Sequence, residues 1–186
     1  MKIVAFGASF SKRSINKKFA GFAAEQFKNV EIEVLDLNNY KVPIFTVDLE
    51  SEIGFPANVD LFLKKLEEAD LLVISMAEHN GSYTAAFKNL FDWTSRLKSK
   101  MFENKKILLL STSTGKRGGA GVIEAAKTRF PRHGAEIIAT FSLPEFRENF
   151  STGKGILNEE LDKQFREIIS LTKNRLDNQS RGLTVL

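Results

Sequence analysis

The chain has 186 residues, 42% hydrophobic and 27% charged, which suits one domain with a sizeable core. It contains no cysteine, which excludes disulfides, thiolate catalysis and cysteine-held metal or iron–sulfur centres, so any redox chemistry must come from a bound cofactor. The net charge of +4, with a pI of about 9.2, comes from scattered basic residues; this argues against a nucleic-acid surface and suits anionic ligands.

Strand and helix patterns alternate along the chain. Lys2 to Phe6 is a short β-rich run followed by a glycine turn. Ser14 to Lys28 reads as an amphipathic helix, with Ile15, Phe19, Phe22, Ala23 and Phe27 on one side. Glu31 to Leu35 alternates polar and apolar residues, as an outer strand does. The segment Asp36 to Asn58 is long and holds Pro43, Gly54 and Pro56, so it reads as a functional or interfacial loop. Its Tyr40, Val42, Ile44, Phe45 and Phe55 are expected to cover a ligand or a partner subunit, or to pack over the sheet edge.

Val59 to Glu68 follows as a helix, Asp70 to Ser75 as a buried strand and Ala85 to Leu97 as a helix. Lys106 to Ser111 is a fourth strand, Gly121 to Phe130 a helix and Glu136 to Phe141 a fifth strand. Asn158 to Leu176 is a closing helix, and Asp177 to Leu186 reads as a loose tail. Five strands separated by helices imply right-handed crossovers and a parallel sheet covered on both faces. The apolar runs 71–75 and 107–110 fit its centre. The expected domain spans residues 1–176.

Three segments at the carboxyl ends of strands carry polar groups. The first, Gly7 to Asn16, holds Ser9, Ser11 and Ser14 at the start of a helix. Hydroxyls with free amide N–H groups at a helix amino end form an anion site. The glycine patterns of dinucleotide and Walker loops are absent. The second segment, Ala77-Glu78-His79-Asn80-Gly81-Ser82, lies at the mouth of the sheet, where open α/β folds bind ligands. The third, Ser111 to Gly121, is rich in hydroxyls and glycines that let the backbone approach a planar ligand closely. Lys116 and Arg117 within it face either an anionic cosubstrate or solvent.

The chain resembles the NADPH-dependent FMN reductases, flavodoxin-like proteins that include quinone, azo-dye and chromate reductases. Glu78-His79-Asn80-Gly81-Ser82, with Lys88-Asn89 and Asp92-Trp93 behind it, is similar to the family's Pro-Glu-Tyr-Asn-Gly-Ser motif and following helix. The first loop is similar to the family's Gly-Ser-x-Arg-x-x-Ser-x-Asn phosphate loop, and Ser113 to Gly119 to its third flavin loop. Three positions depart: Ala77 stands for proline, His79 for tyrosine and Ser11 for arginine. Losing the arginine's charge-assisted contact should weaken phosphate binding.

The resemblance implies a five-stranded doubly wound sheet of order 2-1-3-4-5 and two-electron reduction by NADPH or NADH through FMN. Quinones, flavins or similar small molecules would accept the electrons. Ser9, Ser11, Ser14, Ile15 and Asn16 would hold the phosphate. Ala77, Glu78, His79, Asn80 and Gly81 would line the flavin edge, mostly through backbone groups, and Ser113 and Gly115 would close the other side. No side chain need act as acid or base. A homodimer or homotetramer is expected. A flavodoxin-type electron carrier and a non-enzymatic flavin-binding protein are the other readings, the first disfavoured by the basic pI.

Other residues are read more plainly. Trp93 belongs to the core, His79 is a packed or solvated residue, and His133 lies on the surface near a helix end. The apolar start Met1 to Gly7 is short for a signal peptide, and no run approaches a membrane span of about 20 residues, so a cytoplasmic location is expected.

Overall fold

The computed structural model describes residues 1–182. Its central sheet holds β1 (Lys2–Ala8), β2 (Glu31–Leu35), β3 (Leu71–Met76), β6 (Lys105–Thr112) and β7 (Ala135–Leu143). All pair in parallel in the order β2-β1-β3-β6-β7, which is the expected 2-1-3-4-5 order. Two short hairpins sit off this sheet: β4 (Glu78–His79) with β5 (Ser82–Tyr83), and β8 (Phe150–Ser151) with β9 (Gly155–Ile156).

The helices cover both faces. On one face, α1 (Ile15–Ala24) and the long closing helix α7 (Glu159–Gly182) bury Phe19, Ala20, Ala23, Phe165 and Ile169 against β1, β3, β6 and β7. On the other, α3 (Ala57–Glu67), α4 (Ala85–Leu97) and α5 (Ala120–Arg129) bury Phe62, Leu66, Phe87, Phe91, Val122 and Ala126. Every residue of β3 is buried, because a central parallel strand has no solvent side. The alternating run Glu31 to Leu35 pairs only with β1 and is an edge strand, as its pattern indicates.

Four regions differ from the sequence reading. Residues 36–58 are not a bare loop. They contain a 3₁₀ turn, Leu37–Tyr40, capped by Asp36, and α2 (Val47–Ile53), capped by Thr46 and ended by Gly54 at φ 68°. The segment after β7, unassigned from sequence, holds the short helix α6 (Phe146–Asn149) and the β8–β9 hairpin. α7 passes Leu176 and continues to Gly182; residues 183–186 of the expected tail lie outside the described residues.

His133 is the fourth difference: it is buried rather than on the surface. The 3₁₀ turn Phe130–His133 tucks it under α4, edge-on to Phe91 at 4.8 Å. Its Nδ1 lies 2.6 Å from the Ser99 carbonyl oxygen, a burial that a polar partner makes tolerable.

Candidate functional site

The fold sends the chain from β1 outward to β2 and then back across to β3. The loops after β1 and β3 therefore diverge at the carboxyl edge and leave a crevice, the place where open parallel sheets bind ligands. Gly7 sets the first wall. A Cβ there would lie 2.2 Å from the Lys17 backbone nitrogen, so only glycine lets α1 begin this close to β1.

The loop from Ser9 to Ser14 ends in a helix cap. The Ser14 hydroxyl accepts from Lys17 N at 3.1 Å. Its O–H hydrogen is left to donate, since a hydroxyl can accept and donate at once. The Ile15 and Asn16 amides occupy the first turn, where a helix has no partner of its own, and neither bonds within the described residues. Ser9 Oγ accepts from Ser11 N at 3.2 Å, and the Ser11 side chain is exposed. These groups form a short arc of donors at the positive end of α1.

Asn16 has a second role that its spacing alone did not reveal. The residue is 3% exposed. Oδ1 accepts from Ser75 Oγ at 2.7 Å and from Thr112 N at 3.0 Å, and Nδ2 donates to Thr112 O at 3.0 Å. Asn16 thus ties the first loop to the ends of β3 and β6, and its main-chain N–H has no partner among the described residues. Thr84 makes a parallel tie. It caps α4 by accepting from Phe87 N and donates its own hydroxyl to Ala8 O at 3.1 Å.

The second loop is the β4–β5 hairpin, turned by Asn80 at φ 52° and Gly81 at φ 76°. Two positive φ values in a two-residue Asn-Gly turn are the type I′ geometry that closes a tight hairpin. Ala77 is buried at its base, and His79, Asn80 and Gly81 are exposed at its tip. Nothing lies within 4 Å of where a Gly81 side chain would stand, so the tip's backbone is open. Glu78 points the other way. Its carboxylate accepts from Val122 N at 2.8 Å, placing a negative charge at the amino end of α5, and Arg117 approaches it at 3.6 Å. A Cβ at Gly121 would meet the same carboxylate at 2.8 Å.

The third loop runs from Ser113 to Gly119. Ser113 Oγ bonds the main chain of Gly115, and Gly115 O and Ser113 O accept from Glu145 N and Phe146 N. The segment after β7 therefore braces this loop from behind. Gly118, at φ 59°, would place a Cβ 2.7 Å from the Leu143 carbonyl carbon. Lys116 and Arg117 are exposed. Tyr83, at the hairpin's end, stacks on Phe91 and Phe130, and burial pushes its hydroxyl up to about 12, so it stays a neutral phenol.

Trp93 is core, as read from sequence. It is fully buried, its Nε1 donates to Pro43 O at 2.8 Å, and Phe45 and Phe55 pack edge-on against it. The 36–58 segment is thereby fastened to α4, the helix that leaves the hairpin. Among the described residues, no group of three or more His, Asp or Glu side chains is arranged to hold a metal ion.

Sequence reasoning missed the hairpin, the Asn16 partners and the brace behind the third loop. The hairpin had a readable signal, Asn80-Gly81 between two polar–aromatic pairs. The Asn16 contacts join residues 59 and 96 positions apart, and no local pattern announces such distances.

This combination of doubly wound parallel sheet and polar, glycine-bearing loops after β1, β3 and β6 defines a flavodoxin-like protein. The family model described as NADPH-dependent FMN reductase matches residues 1–148, and the chain belongs to that family. It is 27% identical to a quinone reductase of Escherichia coli, across 99% of this chain and 92% of that protein. It is 32% identical to an NAD(P)H:quinone oxidoreductase of Solanum tuberosum, across 64% of this chain and 62% of that one. Among solved structures, the flavoenzyme NAD(P)H:(acceptor) oxidoreductase FerB of Paracoccus denitrificans matches with a TM-score of 0.75 at 20% identity, covering 95% of this chain and 97% of that one. The protein is accordingly an FMN- and NAD(P)H-dependent oxidoreductase.

The residues present fit FMN. The arc of N–H and O–H donors around Ser9, Ser14, Ile15 and Asn16 suits one phosphate group. The open tip at Gly81 and the exposed Gly115 offer backbone to a flat ring, while Gly118 and Gly119 are packed against Leu143 and Ser111.

Proposed function

We propose that this protein passes two electrons from NADPH or NADH to a quinone, a free flavin or a similar small acceptor. The observation that carries this reading is the Asn16 tie, which holds three polar loops at one sheet edge. FMN, when bound, supplies the hydride and electron chemistry, and the protein supplies orientation and electrostatics. Ser9, Ser11 and Ser14 would bind the phosphate through hydroxyls, and Ile15 and Asn16 through main-chain N–H groups. Ala77 to Gly81 would line the ring edge, with Ser113 and Gly115 opposite. The flavin-binding domain would comprise residues 1–176, and the protein would work in the cytoplasm.

The same reading includes a homodimer or homotetramer. Ile44, Val47, Ile53 and Phe55 are 81%, 65%, 51% and 40% exposed, and they cluster around α2. Several large apolar side chains exposed within one short segment support an interface there. Light scattering at micromolar concentration tests it: a mass near 20.9 kDa with full activity refutes the assembly.

The activity test is steady-state oxidation of NADPH and NADH by the FMN-loaded protein with and without a benzoquinone. Turnover that requires both partners is expected. Bound FMN without NAD(P)H oxidation would instead indicate an electron carrier, and no flavin binding at micromolar FMN would overturn the reading.

A further inference from the structure

A second feature lies outside the three ligand loops, on the outer face of α1. Ser14, Lys18 and Phe22 recur every four residues and so share one side of the helix. They form a wall of a groove of about 510 Å³, whose other side is Val34 of β2 and Phe150 of the β8–β9 hairpin. That size falls in the range of small-molecule sites, roughly 300–1,000 Å³.

The groove has two chemically different parts. Phe22, Val34 and Phe150 make an apolar floor, with Phe22 and Phe150 edge-on at 5.2 Å. Gly155 holds the floor in place, since a Cβ there would come within 2.6 Å of the Phe22 ring. At the mouth stand Lys12, Arg13 and Lys18. Among the described residues none of these three side chains has an ion-pair or hydrogen-bond partner. Lys17 beside them is neutralised by Asp36 at 2.8 Å. Glu25 is the one carboxylate in the lining. Ser14 belongs both to this groove and to the FMN phosphate loop, so the two sites adjoin.

An apolar, partly aromatic floor beside unpaired cations suits a purine carrying phosphate. We propose that this groove binds the adenosine-phosphate portion of a dinucleotide, with Lys12, Arg13 and Lys18 facing the phosphate and Phe22, Val34 and Phe150 under the base. The inference rests on the dinucleotide-dependent function proposed above. Two sources carry this chemistry: the adenosine 2′-phosphate end of NADPH, and the AMP half of FAD. The first gives the groove a role in cosubstrate choice, because NADH lacks the phosphate that the cations would meet.

The test uses the FMN-loaded protein and its Lys18→Glu variant. Isothermal titration with 2′,5′-ADP should show binding to the parent, at least roughly tenfold weaker binding to the variant, and weakening with added salt. KM for NADPH should rise about tenfold in the variant while KM for NADH and the turnover number stay within about twofold. If FAD instead binds the apoprotein about tenfold more tightly than FMN, and the variant loses that gain, the groove takes the AMP half of FAD. Absence of 2′,5′-ADP binding, with equal FAD and FMN affinities and no change in the NADPH-to-NADH KM ratio, overturns the proposal. That result is separable from failure of the proposed function, because FMN binding and NADH oxidation are measured independently in the same protein.

Discussion

The two ends of the central sheet are built on opposite plans. At the amino end, charge meets charge. Lys2 Nζ lies 3.2, 3.1 and 2.7 Å from Glu31, Glu33 and Glu68, and Lys65 pairs with Glu33 and Glu68. Lys105 donates to the Glu67 and Ala69 carbonyls. At the carboxyl end the exposed polar groups are mostly left open: among the described residues, the side chains of Ser11, His79, Asn80 and Lys116 have no partner. Beneath them lie buried polar ties, Asn16 to Ser75 and Thr112 and Thr84 to Ala8, with a half-buried one from Val122 to Glu78. Exposed ion pairs contribute little each, about 0–1 kcal/mol, whereas a buried polar group deprived of its partner costs about 1–3 kcal/mol. The functional edge therefore carries the stronger local constraints, because it must hold open loops in register for a ligand.

The largest break expected in this contrast is Gly7→Ala. The added methyl meets backbone rather than a movable side chain, so α1 must shift away from β1. A loss of about 4 kcal/mol or more, or failure to fold, is expected. Thermal denaturation followed by circular dichroism checks it, and a midpoint within about 2 °C of the parent would show that α1 has room to move.

Asn16→Leu comes next. It strands the Ser75 hydroxyl and both main-chain groups of Thr112 in a buried layer. The expected loss is about 3–5 kcal/mol, or roughly 10 °C in midpoint for a domain of this size. The comparison partner is Lys65→Met at the other end of the sheet, expected to lower the midpoint far less and to lose its effect in high salt. Equal losses from the two variants would erase the distinction between the ends.

The fold was legible where a signal is local. Apolar runs and turns gave five strands in a parallel sheet covered on both faces, the family resemblance gave their order, and Glu31 to Leu35 reads as an edge strand by its alternation. The candidate site was proposed from three loops, because hydroxyls and glycines lie close together in the first and third and an Asn-Gly pair in the second. Three features were not. Asn16 reads as a ligand residue until its partners at Ser75 and Thr112 are known. α2 lies in a segment whose prolines and glycine suggested a loop, although Thr46 followed by Asp48 and Glu50 is a helix-start pattern. His133 follows a proline in a basic stretch, and only tertiary packing against Phe91 buries it.

The phosphate loop provides a smaller effect that separates binding from folding. Ser9→Ala with Ser14→Ala removes two hydroxyls from the donor arc and the cap on Lys17 N. Losing the cap costs about 1 kcal/mol of stability, a few degrees in midpoint. FMN affinity should fall roughly five- to thirtyfold, for one or two hydrogen bonds of about 1 kcal/mol each. Riboflavin, which lacks the phosphate, should change less than about twofold. Fluorescence titration of both ligands decides the matter, and equal weakening would move the phosphate elsewhere.

The smallest expected effect concerns Asp36, a charged group at the carboxyl edge that is paired in the manner of the opposite end. The Lys17 ammonium at 2.8 Å, helped by the Asn38 N–H and side-chain amide, holds its carboxyl at about 2, below the ordinary value of 3.8. A carboxylate with a depressed folded value stabilises the protein when ionised. That contribution is complete above the unfolded value and is lost as pH falls toward 2. The pair is about one-third exposed, so screening keeps its worth under about 1 kcal/mol. Asp36→Asn should therefore lower the urea midpoint slightly near neutral pH, and the gap from the parent should close between about pH 4 and pH 2. A gap that persists at the acid end would mean that Asp36 acts through its Asn38 turn and not through its charge. The salt-sensitive pairing at this edge would then lose its physical basis.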